Sequence, residues 1–417
     1  MSNLEERQAL IGEMAEHLKK NIYHSEERKI TTPRKEYQAE SQKVVSLEEA
    51  IRRSGLKDGM TVSFHHHFRG GDKVLNMVMD KIAEMGIKDL HVAASSLNDV
   101  HKPLIEHIKN GVVTRISTSG MRGELAKAIS HGILKEPVVF RSHGGRGSAI
   151  ANGDIHIDVA FLGASSCDPM GNSCGFSRSE NAKSICGSLG YALPDARYAD
   201  NVVILTDDLV PYPNTPNSIS EHDVDYVVEV ESVGDSSKIA SGAIRDTKNP
   251  RDILLAQQAA KVIVNSGYFK NGFSIQTGSG GASLAAVKYI RQSMIDQDIK
   301  ASFALGGITA HMVKMHEEGL IERLIDVQSF DKVAAESLKN DSKHKEVSAC
   351  EYASMHEQGA ATHYLDIVIL SALEVDVNFN VNVLVGSDGI IRGAIGGHPD
   401  TAEDSALSII CLLYTSP

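Results

Sequence analysis

The sequence predicts an α/β protein made of two related open α/β/α units with mainly parallel sheets, preceded by a helical N-terminal segment. Three observations predict it. From Thr61 onward, short apolar runs ending in Gly or Ser alternate with helix-periodic segments, the pattern of parallel strands covered by helices. The order strand, Gly-rich turn, helix, Ile-Lys, strand occurs twice, over Thr61–Ser95 and again over Gly272–Gly307. Such self-similarity is the trace of a duplicated unit. Finally, the 417 residues exceed what a single small core organises.

Each element follows in order. Ser2 and Glu5 form a capping-box pattern, and Ile11, Met14, Ala15, Leu18 and Ile22 then keep helical spacing. Residues 24–43 are polar and aperiodic, an exposed connection. Ser46 and Glu49 repeat the capping signal before a short helix, and Gly59 leads into the first strand. Strands are expected within 61–68, 89–95, 112–119, 136–142, 156–164, 201–207 and 225–232. Residues 233–250 are rich in Gly, Ser, Asp and Asn and mark the boundary between the units. The expected division is therefore a helical extension over 1–45, a first unit over 46–235 and a second over 245–417. In the second unit, the near-continuous apolar run 365–373 predicts a central strand, and residues 403–410 predict an amphipathic helix.

Composition narrows the chemistry. Hydrophobic residues make up 42% and charged residues 23%, as in an ordinary folded protein. The formal net charge of −12 speaks against a nucleic-acid binder, which needs a basic footprint. The absence of Trp and an aromatic content of 5% disfavour stacking platforms for bases. No apolar run approaches the length of a membrane span, and the N-terminus has no basic-then-apolar signal region. A cytoplasmic protein without membrane partner is expected. The five cysteines are scattered with no CxxC pair, so neither a zinc ribbon nor a disulfide framework is expected. Cys167, Cys174 and Cys186 have no His nearby in sequence to lower a thiol pKa, which favours structural roles. An acidic protein that handles an anionic substrate must concentrate positive potential locally, in arginines and helix N-termini.

Four segments carry candidate chemistry. Glu374 and Asp376 sit at the carboxyl end of the 365–373 strand, where sites form in open parallel sheets. Asn378, Asn380 and Asn382 follow at period two. The Gly393-Ala-Ile-Gly396-Gly397-His-Pro-Asp400 segment supplies glycines whose N–H groups approach a ligand closely and can stabilise an oxyanion. The plainer reading is a strand-end acid that caps a helix beside an ordinary Gly turn. In Phe64-His65-His66-His67-Phe68-Arg69-Gly70-Gly71-Asp72, side chains alternate, so His65 and His67 face one way and His66 the other. Three such His cannot converge on one metal, and no metal site is expected. Arg69 suits bidentate carboxylate binding, with Gly70 and Gly71 opening a helix N-terminus. Thr277-Gly278-Ser-Gly280-Gly281 follows a strand and starts a helix, a place for a phosphate or carboxylate. It has neither the P-loop nor the dinucleotide spacing. Gly306 and Gly307 end the next strand and are similar candidates. Arg122 and Arg146 lie in two further Gly/Arg loops, either as anion partners or in ordinary salt bridges. Asp207 and Asp208 end another strand with nothing specific to assign them.

Ser371-Ala-Leu-Glu374-Val-Asp376, then Asn380-Val-Asn382, then Gly393-Ala-Ile-Gly396-Gly397-His-Pro-Asp400 resembles the signature of the family I CoA-transferases and acyl-CoA hydrolases, most closely their citrate lyase α-subunit branch. The resemblance runs from about Glu48 to Ile410. It includes Ser142-His-Gly-Gly145, Cys186-Gly-Ser-Leu-Gly-Tyr191, Pro211-Tyr-Pro-Asn-Thr-Pro216, Ala304-Leu-Gly-Gly-Ile-Thr309 and Asp326-Val-Gln-Ser-Phe-Asp331. It implies two units of CoA-transferase type and a transfer reaction in which acetyl-carrier thioester and citrate give citryl-carrier thioester and acetate. Glu374 is implied as the catalytic residue, Gly396, Gly397 and Asn380 as the oxyanion and acyl site. His65, His67, Arg69, Gly70, Gly71, Thr277, Gly278, Gly280, Gly281, Gly306, Gly307 and Asp400 are implied as substrate or carrier contacts.

The implied partners are the β (citryl lyase) and γ (acyl-carrier) subunits of an oligomeric complex. No tightly bound cofactor is implied: the thioester is carried on phosphoribosyl-dephospho-CoA of the carrier subunit, or on CoA itself. Two routes are open, attack by Glu374 to form an acyl-glutamyl anhydride or direct attack by a citrate carboxylate. Competing readings are a transferase or hydrolase of free acyl-CoA, a citramalate lyase α subunit, a sugar-phosphate isomerase or binding module on the same scaffold, and a scaffold subunit without chemistry. The family continues beyond Ile410, so Cys411–Pro417 is expected to be a truncated or foreign tail.

Overall fold

The computed structural model describes residues 43–240, 247–278 and 280–412. The helix expected near the N-terminus falls outside these residues. Ser46 caps the Leu47–Arg53 helix through its hydroxyl, which accepts the Glu49 N–H at 3.2 Å. The Glu49 side chain does not reciprocate; it turns to Arg52 and Arg53.

Two parallel sheets organise the chain. The first has seven strands, in the spatial order Val139–Phe140, Val113–Thr118, Leu90–Ala94, Thr61–Phe64, Val159–Ala164, Asn201–Thr206 and Tyr226–Glu229. The second has six: His344–Glu346, Ile321–Ser329, Ala301–Ile308, Phe273–Thr277, Ile367–Ser371 and Leu407–Cys411. Every adjacent pair in both sheets is parallel. The two follow one plan. Each starts with an inner strand, adds three strands outward on one side, and then returns to the other side of the first. That reversal is a topological switch point, where α/β sheets place ligands at their strand ends. The repeated order read in the sequence corresponds to the first two strands and intervening helix of each sheet, Val74–Glu84 in one and Gly281–Asp296 in the other.

Burial explains the elements. Val62, Val92, Val159, Phe161 and Val203 are fully enclosed, with both sheet faces covered. The Val74–Glu84 helix buries Leu75, Val78, Met79 and Ile82 along one stripe, each worth about 1.5–3 kcal/mol of transfer free energy. The Gly281–Asp296 helix does the same with Leu284, Val287, Ile290 and Met294.

The C-terminal expectation needs correction. The helix lies earlier, at His398–Asp404 with Pro399 in its first turn. Residues 407–411 form a strand in register with Ile367–Ser371. Leu407-Ser-Ile-Ile-Cys carries β-branched residues, and pairing with the apolar inner strand outweighs its weak helical period. Ile367–Ser371 is thus flanked on both sides, as its continuous hydrophobicity requires. The strand stops at Ser371, and Glu374–Val375 pairs instead with Val381–Asn382 in a short antiparallel hairpin.

Candidate active site

A cavity of about 120 Å³ lies between the two sheets, at the carboxyl ends of their strands. Past Thr61–Phe64 come His66 and Arg69; past the next two strands, Asn98, Ser119 and Arg122. The second sheet contributes Gln276, Thr277, Gly278, Gly307, Gln328 and Phe330. His143, Tyr191, Tyr352, Gly396, Gly397 and His398 complete the wall. No carboxylate of the described residues lines it, in a chain with net charge −12.

The two arginines set its electrostatics. Arg69 is buried, its guanidinium 4.6 Å from the centre of the Phe330 ring, and its Nη1 has no hydrogen-bond partner among the described residues. Burial and then Arg122 lower its pKa to about 10, so it stays protonated near neutrality. Gly307 permits the stack: a Cβ there would stand 2.1 Å from the Phe330 ring. Arg122 precedes the Gly123–Ser130 helix at the mouth of the cavity, closely surrounded yet open to solvent. Its pKa is also lowered, first by desolvation, with Asp99 opposing. Neither guanidinium is ion-paired among the described residues. Arg146, the other candidate, is committed elsewhere. It forms a buried pair with Asp195 through bonds of 2.8 and 2.7 Å and donates to Ala93 O.

Three histidines in the wall are held neutral. Burial drives His66 well below its ordinary value, helped by His143 and Arg69. His143 falls to about 3, from burial and then His398, and His398 is lowered chiefly by burial. The His66 ring stacks on Tyr191 at 5.3 Å, and His143 lies 4.3 Å from the same ring. Gln276 donates to the Tyr352 hydroxyl at 2.8 Å, leaving its Oε1 unpartnered.

The strand ends at Phe64, so the alternation read for the three histidines does not hold: His66 and His67 both stack on Tyr191, at 5.3 and 6.4 Å. The His65 and His67 rings lie tilted against each other at 3.7 Å and do not line the cavity, and His65 accepts the Gly163 N–H; His66 does line it. Of the remaining candidates, Arg69, Thr277, Gly278, Gly307, Gly396 and Gly397 line the cavity; Gly70, Gly71, Gly280, Gly281, Gly306, Asn380, Asp400 and Glu374 do not. Gly71 serves close packing against Asp235, and Gly306 leaves room for the Gln276 amide. Gly280 caps the helix that begins at Gly281. The Gly278 and Gly396 N–H groups donate to Ile369 O and Ser119 O. Asn380 is exposed and donates to Asp376.

Asp400 accepts from Ser142 and from the Gly144 N–H at 3.0 Å, which fastens it to the start of the His143–Ala151 helix. Glu374 is half-exposed and accepts from Ser387 and Asn382, bonds that lower its pKa. Asp207 and Asp208 hold loops through Ser184, Val233, Ser177 and Ser179. All five cysteines are buried and free, and burial pushes the Cys167 thiol up to about 12.

Comparison with known proteins covers most of the chain. The family model described as citrate lyase, alpha subunit, matches residues 40–414. The chain belongs to the citrate lyase alpha subunit family. It is 59% identical over 383 residues to the citrate lyase alpha chain of Escherichia coli K12, covering 91% of this chain and 74% of that one. A solved structure of the putative alpha subunit of citrate lyase from Streptococcus mutans, in complex with citrate, superposes with a TM-score of 0.87. It is 58% identical and covers 90% of this chain and 73% of its own. A Pseudomonas malonate decarboxylase hetero-tetramer, solved with malonate, matches at a TM-score of 0.65 and 17% identity, over 86% of this chain and 65% of that one; it supports the fold alone. Membership in this family makes the protein a CoA-transferase-type enzyme and a subunit of a multi-subunit complex. Among the described residues no helix is long and apolar enough to cross a membrane.

Sequence reading missed His66, Tyr191, Gln276, Gln328 and Tyr352 as wall residues. Gln276 had a signal, since it immediately precedes Thr277 at a strand end. Tyr191 and Tyr352 lie on loops and helices that only the fold brings to the cavity.

Proposed function

We infer that this subunit is a citrate CoA-transferase, converting acetyl-carrier thioester and citrate to citryl-carrier thioester and acetate. One observation carries the reading beyond family membership: two guanidiniums, Arg69 and Arg122, neither ion-paired by any described residue, line a cavity to which no described carboxylate contributes. Citrate carries about three negative charges near neutrality. Buried Arg69 suits one carboxylate bidentately, Arg122 at the mouth a second. Asn98, Gln276 and Gln328 offer amides for the hydroxyl and remaining oxygens.

Thioester exchange is close to balanced in energy, so positioning and oxyanion stabilisation are the main catalytic demands. Glu374 is engaged by Ser387 and Asn382 outside the cavity. This supports direct attack by a citrate carboxylate, with Glu374 outside the covalent chemistry. The partners are a β subunit that cleaves the citryl thioester and a γ subunit that carries it. No cofactor bound to this chain is invoked; the carrier's phosphoribosyl-dephospho-CoA thioester, or CoA in its place, is substrate.

The test mixes the protein with acetyl-CoA, as carrier mimic, and citrate. Citryl-CoA and acetate are expected; their absence overturns the reading. Citramalate in a parallel reaction is expected to be the poorer acceptor, and a preference for it reassigns the acid.

A further inference from the structure

His66 makes an arrangement at the cavity that its stacking on Tyr191 does not require. Its Nδ1 lies 2.6 Å from the Ser95 hydroxyl, and that hydroxyl has no other partner among the described residues. Ser95 is 1% exposed. If Nδ1 carried the proton, the Ser95 hydroxyl hydrogen would be buried without an acceptor, which costs about 1–3 kcal/mol. Donation by Ser95 to Nδ1 satisfies both groups and puts the ring proton on Nε2. Nε2 bonds to no described residue, and His66 lines the cavity beside Arg69. The ring is fixed by the Tyr191 stack at 5.3 Å and 13°. Its own carbonyl is anchored by Gln328 at 2.9 Å.

We propose that His66 is a catalytic residue which, as a neutral imidazole, donates its Nε2–H to the oxyanion formed when a carboxylate attacks the acyl thioester. The proposal rests on the transferase reading above. In the step, a citrate carboxylate oxygen forms a bond to the acetyl carbonyl carbon and the C=O π pair moves onto oxygen. Nε2–H hydrogen-bonds that oxygen without giving up its proton. Collapse restores the carbonyl, breaks the C–S bond and releases the thiolate, leaving a mixed citric–acetic anhydride. The thiolate then adds to the citryl carbonyl, where the same donor serves, and acetate leaves with the bonding pair. No net proton moves, which suits a donor whose burial keeps it neutral over the working pH range. A protonated imidazole would instead bind the citrate carboxylates in the ground state and gain less at the transition state. Ser95 acts through His66 and is a positioning residue.

The experiment compares wild type, His66→Gln, His66→Phe and Ser95→Ala in the full chain. It uses acetyl-CoA and citrate, calorimetry for citrate affinity, and nitrogen-15 NMR of the histidines. Loss of one oxyanion donor typically costs about 10²–10³-fold in kcat. His66→Phe should fall by that factor while its citrate Kd stays within about threefold, and His66→Gln should recover part of the loss. Ser95→Ala should lower kcat less and shift the His66 signals toward a mixture of tautomers. Retained kcat in His66→Phe overturns the proposal. So does lost citrate affinity with kcat intact, or an Nδ1–H tautomer in the wild type. A folding failure of His66→Phe leaves His66→Gln and the wild-type NMR to decide. If wild type makes no citryl-CoA, the transferase reading fails, while the tautomer is still read independently.

Discussion

Arg69 and Arg122 differ in what they can lose. Arg69 is buried on Phe330 with an orphan Nη1, so a lysine there keeps the charge but forfeits the planar fork and the stack. A charge-assisted hydrogen bond is worth about 1.5–3 kcal/mol. Arg69→Lys is therefore expected to weaken citrate binding about 10- to 100-fold by calorimetry. Arg122→Lys, at the solvent-open mouth, should cost at most about tenfold. The control is Arg146→Lys: its partner is the buried Asp195, so denaturation should report lower stability with little change in citrate affinity per folded molecule. Arginines in Gly-rich turns after strands were legible as anion-binding candidates, but sequence could not separate Arg122 from Arg146. Their separation depends on Asp195, which lies 49 residues from Arg146. The histidine triplet shows the same limit. Period two separates His66 from His65 and His67, but the strand ends at Phe64 and both His66 and His67 stack on Tyr191, so only the fold shows which of them meets the cavity.

At the level of elements, strand positions were legible because both faces of each sheet are covered, which makes inner strands continuously apolar. What was not legible is how the 393–397 segment docks. It runs against the first sheet: Met121 N–H donates to Gly393 O, Gly396 N–H to Ser119 O and His143 N–H to Gly396 O. Gly120 makes the approach feasible, since a Cβ there would stand 2.1 Å from the Ala394 Cβ. Gly120→Ala must push the segment outward, and overpacking of this kind costs about 1–3 kcal/mol. Because Gly396 and Gly397 line the cavity, kcat should fall together with stability; unchanged kinetics would show that the segment is not part of the site. The surroundings of Glu374 were hidden in the same way. The 365–373 run does not show that the strand ends at Ser371, nor that Asn382 and Ser387 claim the carboxylate.

Across the whole molecule, the cavity exists only while the two sheets stay together, and polar cross-links at its rim hold them. Gln328 reaches His66 O at 2.9 Å, Ser188 reaches Asp326 O at 2.9 Å, and Asp400 spans to Ser142 and Gly144. The repeat corresponds to the shared plan of the two sheets; these links, between residues more than a hundred positions apart, were not legible. Asp400 gives the assembly a pH dependence. Burial pushes its carboxyl up to about 6, although the bonds from Ser142 and Gly144 oppose the shift. The folded chain therefore takes up a proton between about pH 6 and 4 that the unfolded chain, with an ordinary carboxyl, does not yet hold. Stability linked to this group rises as pH falls through 6 and is lost as pH rises above it, opposite to a salt-bridged carboxylate. Asp400→Asn removes the linkage while leaving the other titrating groups in place. Between pH 7 and pH 5, wild type should gain about 1 kcal/mol relative to the variant in denaturant unfolding. A difference of the opposite sign would mean that the carboxylate is stabilised at the rim as an anion, and that the cap on the His143–Ala151 helix, rather than burial, dominates its energetics.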